Sequence, residues 1–114
     1  MIPVYISIGA VCGALSRYYL SILLTGPIGI FFINITGCFV IGLVAGFMPK
    51  LAFKSFFIIG FLGSYTTFSS YSLDVFNLYQ KEKYLQAFAY FCLSPLIGVL
   101  ATFIGFKLAT IISR

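Results

Sequence analysis

The sequence has no histidine, and only two of its 114 residues are acidic. Without imidazole it lacks the usual general base of neutral pH and the commonest nitrogen ligand for a metal. The two acids, Asp74 and Glu82, fall at a helix end and in a charged loop, so they form no paired-carboxylate site. The hydroxyl residues have no base close by in sequence, and Gly60–Gly63 lacks the lysine and flanks of a phosphate loop. Enzyme chemistry is therefore not expected. Cysteine is scarce as well. Cys12, Cys38 and Cys92 each lie inside an apolar run, an odd set that argues against a disulfide framework, and no two are at metal-ligand spacing.

Apolar residues, by contrast, are abundant: the chain is 61% hydrophobic and 8% charged, with a mean hydropathy of +1.12. A soluble domain of this length keeps much of its surface exposed and cannot hide so many apolar side chains. A bilayer accommodates them, since lipid solvates Leu, Ile and Phe as well as a protein core does. The expected class is an all-α integral membrane protein. Its formal net charge of +5 would suggest nucleic acid in a soluble chain. Here most cations flank the apolar runs as membrane anchors do, so no nucleic-acid partner is expected. The first run lacks a charged leader and carries Arg17, which reads as a mature helix rather than a signal peptide.

Four runs are long enough for the ~20 residues that a bilayer core requires. They cover 2–24, 27–48, 52–76 and 84–112, within a single domain of 1–114. Lys50, Lys54, Lys107 and Arg114 fall on one side, and Lys81 and Lys83 on the other. So weak a bias leaves two arrangements open: a fixed topology, or insertion both ways up with an antiparallel dimer related by a two-fold axis in the membrane plane. Four helices enclose little space of their own, which favours an oligomer.

The third run is anomalous. Gly60, Gly63, Ser64, Thr66, Thr67, Ser69 and Ser70 interrupt a segment otherwise rich in Phe and Ile. Glycine costs about 1 kcal/mol in a helix interior relative to alanine, and Ser and Thr offer the backbone alternative partners. The pattern predicts a helix broken around 63–67, whose free carbonyls suit a cation. A continuous helix with small residues for packing is the alternative. Beyond the break, Phe68 and Tyr71 share a helix face, and aromatic ring edges are partially positive. Asn34 lies deep in the second run and offers two amide donors.

In the fourth run Ser94, Gly98 and Thr102 form a stripe at four-residue spacing, either a packing seam or a track of hydroxyl donors. Gly9/Gly13 and Gly42/Gly46 read as packing seams alone. Arg17 is deep enough to snorkel, to cap carbonyls of the broken helix, or to set the potential of a vestibule. Asp74 reads as a solvated or paired anchor at the helix end.

Three motifs resemble those of the Fluc/CrcB fluoride channels: Gly9-x-x-x-Gly13-Ala14-x-x-Arg17-Tyr18, Asn34-x-x-Gly37-x-Phe39-x-x-Gly42 and Gly60-x-x-Gly63-x-x-Thr66-Thr67-Phe68-Ser69. The resemblance extends over essentially the whole chain. It implies a dual-topology antiparallel dimer in the bacterial inner membrane, with two narrow pores that export fluoride passively. On that pattern Phe68 and Tyr71 are the aromatic box, and Asn34 donates to the ion. Ser69, Ser94 and Thr102 supply the polar track. A structural Na⁺ at the dimer centre is held by carbonyls of Gly63 and Thr66. Two positions depart from the pattern: Tyr71 replaces a phenylalanine, and Ile30 stands where many members place a threonine. Such departures suit one half of a heterodimer with a homologous subunit. Two rivals share the outline. A small multidrug transporter needs a carboxylate in its first helix, where this chain has Arg17. A non-transporting assembly subunit would use the polar stripes for packing alone.

Overall fold

The structure, a computed structural model, describes residues 1–47 and 50–113. Met48 at the end of the second expected run, Pro49 in the following break, and the anchor Arg114 lie outside the described residues. Helix α1 (Ile2–Leu23) opens with Pro3 in its first turn, where the missing N–H costs nothing. A three-residue turn follows. Gly26 takes φ +80°, open to glycine at no steric cost, and Pro27 starts α2 (Pro27–Gly46) with its preset φ.

The third span is built in pieces. Helix α3 (Leu51–Lys54) widens into a π-helical stretch, Ser55–Leu62, and tightens to a short turn, α4 (Gly63–Tyr65). Thr66 and Thr67 are then extended, and α5 (Phe68–Gln80) follows. The expected break is therefore present, confined to Thr66–Thr67, while Gly63 remains helical. Helix α6 (Tyr84–Ile112) is the longest.

The third span also runs one turn past the expected end at Phe76. Asn77 and Gln80 lower its hydropathy, but Leu78 between them is buried and holds that turn on the bundle. The helix is closed by the Lys83 N–H on the Leu78 carbonyl and the Glu82 N–H on the Tyr79 carbonyl, with Glu82 at φ +61°. This is a Schellman closure with glutamate where glycine is usual.

Backbones approach closely at the glycine pairs. A Cβ on Gly9 or Gly13 would overlap the carbonyls of Phe56 and Phe61, and one on Gly42 the carbonyl of Thr102. Helix α1 thus packs on the π-helical stretch, and α2 on α6, by the small-residue contacts that replace hydrophobic driving force in lipid. A small core of Ile33, Leu62 and Tyr65 lies between α2 and the third span, and Ile30 packs against it.

Most large apolar side chains face outward, among them Leu85 at 81% and Phe103 at 69% exposure. Such a surface is unstable in water and suited to lipid. Among the described residues, four helices, Ile2–Leu23, Pro27–Gly46, Leu51–Gln80 (broken) and Tyr84–Ile112, are long and apolar enough to cross a membrane.

A groove at the helix break

The break strands backbone groups at membrane depth, and one side chain of α2 takes up both ends of a residue. Asn34 Oδ1 accepts from the Thr67 N–H at 2.7 Å, and Asn34 Nδ2 donates to the Thr67 carbonyl at 2.9 Å. The amide pairs with the extended residue much as a neighbouring strand would. An NH₂ group has two N–H donors, so one remains after this pairing. Thr67 Oγ1 then accepts from the Ser70 N–H at 3.1 Å and caps α5.

These diversions free carbonyls. The Thr67 N–H goes to Asn34, so the Gly63 carbonyl loses the amide that a continuous helix would bring it. The Ser70 N–H goes to Thr67 Oγ1, so the Thr66 carbonyl loses its helical donor in the same way.

On the other side the break is anchored to α1. Arg17 Nε donates to the Ser64 carbonyl at 3.1 Å, and Ser64 Oγ donates to the Ala10 carbonyl at 2.8 Å. Of the three roles open to Arg17, the structure shows contact with a carbonyl next to the break.

Between α2, the break, α5 and α6 lies an open groove of about 320 Å³. Asn34, Thr66, Phe68, Tyr71, Ser94 and Thr102 all line it, so the structure brings most of the sequence-nominated residues together. Phe68 projects from the chain surface at 80% exposure, its ring centroid 5.5 Å from that of Tyr71. Tyr71 is 5% exposed, and its hydroxyl donates to the Phe91 carbonyl at 2.6 Å. Ser94 is buried and has no hydrogen-bond partner among the described residues. Thr102 Oγ1 donates to the Cys38 carbonyl at 3.0 Å, so the lower part of the α6 stripe serves as packing seam and polar wall at once.

Ser69 is exposed beside the groove, with Oγ 3.2 Å from Thr67 Oγ1. Asp74 lies further along α5, away from the groove lining, where Tyr90 donates to its Oδ2 at 3.3 Å.

Sequence reasoning missed Thr67 as the anchor of the break and the tie from Tyr71 to α6. Pro95, inside α6, was the available signal for the tie, because proline deprives the carbonyl four residues earlier of its amide.

Among the described residues, no ionised side chain lines the groove. Its walls present an amide N–H, a free hydroxyl, positive ring edges and apolar surface. Such a set solvates a small anion without the trap that a fixed cation would create.

Comparison with known proteins agrees in extent. The family model described as "CrcB-like protein, Camphor Resistance (CrcB)" matches residues 4–106. A protein named "Fluoride-specific ion channel FluC" from a Synechococcus strain is 40% identical, covering 95% of this chain and 92% of its own length. One of the same name from Trichormus variabilis is also 40% identical, over 98% of this chain and 90% of the relative. Another, from Helicobacter acinonychis, is 34% identical over 96% and 95%. A match across nearly every described helix, at that identity over almost the full length of each relative, places this chain in the CrcB-like protein family.

Proposed function

We propose that the chain is a fluoride-selective channel subunit of a bacterial inner membrane, passing fluoride down its gradient and so conferring fluoride resistance. The observation that carries this reading is the groove at the break, where uncharged donors converge at membrane depth. Fluoride is small and strongly hydrated, so a pore must replace its water with hydrogen-bond donors. The second Asn34 N–H and the Ser94 hydroxyl supply these, and the Phe68 and Tyr71 edges supply positive rims. Thr102 and Ser69 extend the track, provided their hydroxyls turn from their present partners. Relatives named fluoride-specific ion channels support the choice of ion. A multidrug exchanger lacks its carboxylate, because α1 contains no acid.

The working unit in this reading is an antiparallel dimer with two pores. The groove is open along one side, and Phe68 stands clear of its own chain, so a second copy is needed to close the path. Lys50, Lys54 and Lys107 on one face against Lys81 and Lys83 on the other permit insertion both ways up. A homologous subunit in place of the second copy would accommodate the Tyr71 and Ile30 departures.

A structural Na⁺ fits the donor set. The Gly63 and Thr66 carbonyls have lost their helical donors, they are hard oxygen ligands, and Gly63 is exposed on the chain surface where a shared site must lie. Two oxygens from one chain are too few to replace a hydration shell, and a two-fold partner doubles them. Bound there, the ion would supply positive potential near the anion path. Arg17, tied to Ser64, holds the turn that presents these carbonyls.

The test is fluoride efflux from proteoliposomes read with an ion-selective electrode, with chloride alongside. Fluoride is expected to leave rapidly and chloride to stay. Phe68→Ile removes a ring that packs little on its own chain, so it should abolish flux while leaving stability within about 0.5 kcal/mol. Equal movement of both anions, or full flux in Phe68→Ile, would overturn the reading.

A further inference from the structure

Pro95 stands inside α6 and has no N–H. In a helix that N–H would bond the Phe91 carbonyl, and a proline ring as a rule crowds the carbonyl four residues before it. A carbonyl left bare at membrane depth is costly. The Tyr71 hydroxyl of α5 donates to this same oxygen at 2.6 Å.

We propose that Tyr71 is a positioning residue whose hydroxyl stands in for the amide that Pro95 removes from α6, clamping α5 to α6 at the wall of the groove. The hydroxyl hydrogen is spent on Phe91, so Tyr71 presents an anion with its ring edge only. Tyr90 meets the Tyr71 ring edge-on at 5.2 Å and Phe68 lies at 5.5 Å, so the clamp also sets where the Phe68 ring stands. Ser94, next to Pro95 in the chain, faces the same groove. The clamp therefore fixes the distance between ring edge and hydroxyl across the path. A phenylalanine at this position would keep the ring and lose the clamp. The consequence for transport rests on the channel reading above; the clamp itself does not.

The test uses the full chain with Tyr71→Phe, Pro95→Ala and both together, each unfolded reversibly in mixed micelles. Tyr71→Phe alone orphans the carbonyl and should lower the folding constant about tenfold. In the Pro95→Ala background the new N–H serves Phe91, so the same substitution should change it by less than about twofold. The isotope-edited infrared band of a labelled Phe91 carbonyl should move up in Tyr71→Phe and return in the double variant. Equal losses in both backgrounds, or an unmoved band, would overturn the clamp. Coupling between the two sites with no fluoride flux from the wild type, either alone or co-expressed with a homologous subunit, would support the clamp and sink the channel reading. Ordinary flux with no coupling would do the reverse.

Discussion

Replacing Asn34 tests whether one amide holds the helix break together. Leucine is close to isosteric with asparagine but makes neither of its bonds, so Asn34→Leu leaves the Thr67 N–H and carbonyl both without partners. Each orphaned group costs about 1–3 kcal/mol. Asn34 is only half-buried, so the lower part of that range applies and the pair should cost about 2–4 kcal/mol. Against a total stability on the order of 5–15 kcal/mol this is a large loss, readable as a lowered unfolding midpoint in micelles.

Asn34→Asp separates the two roles of the residue. It keeps an acceptor for the Thr67 N–H, but it loses the donor to the Thr67 carbonyl and brings a negative charge to the groove. At 4 Å and an effective dielectric of 20 that charge repels an anion by about 4 kcal/mol, roughly three decades in occupancy. Fluoride efflux from proteoliposomes should fall accordingly. Wild-type stability in Asn34→Leu would refute the idea that the Asn34 amide holds the break. Flux within about tenfold of wild type in Asn34→Asp would refute the groove as the anion path.

Gly13→Ala places a methyl against the Phe61 carbonyl and Ser64 Oγ, which pushes α1 off the third span. A loss of about 1–3 kcal/mol is expected, and an unchanged unfolding midpoint would contradict the close approach. Glu82→Gly relieves a left-handed residue at the end of α5 and should gain about 0.5–1 kcal/mol net of glycine's greater chain entropy. Destabilisation by this change would mean that Glu82 makes a contact worth more than its backbone strain.

Much of this was legible in the sequence because membrane solvation acts on each segment separately. Run length and hydropathy located four spans without knowledge of any partner. The hydroxyl and glycine cluster of 60–70 located the break, because those residues weaken a helix wherever it packs. The polar residues of apolar runs, Asn34 and Ser94 among them, were singled out since lipid tolerates them only with a purpose.

What each of those residues bonds to was decided by tertiary structure alone. Asn34 and Thr67 are brought together by the packing of α2 on the third span, and no sequence spacing announces that pairing. In the sequence Tyr71 stood out only as a tyrosine in place of a phenylalanine, and only its placement against Phe91 of α6 shows its hydroxyl hydrogen already spent. The extra turn of α5 likewise depends on a burial site for Leu78 that its neighbours conceal in any hydropathy profile. Sequence thus determined where this chain meets lipid and where its helix fails, since both follow from local solvation and propensity. The tertiary structure decided which donors remain free at the break, because a hydrogen already given to one carbonyl is not available to an ion.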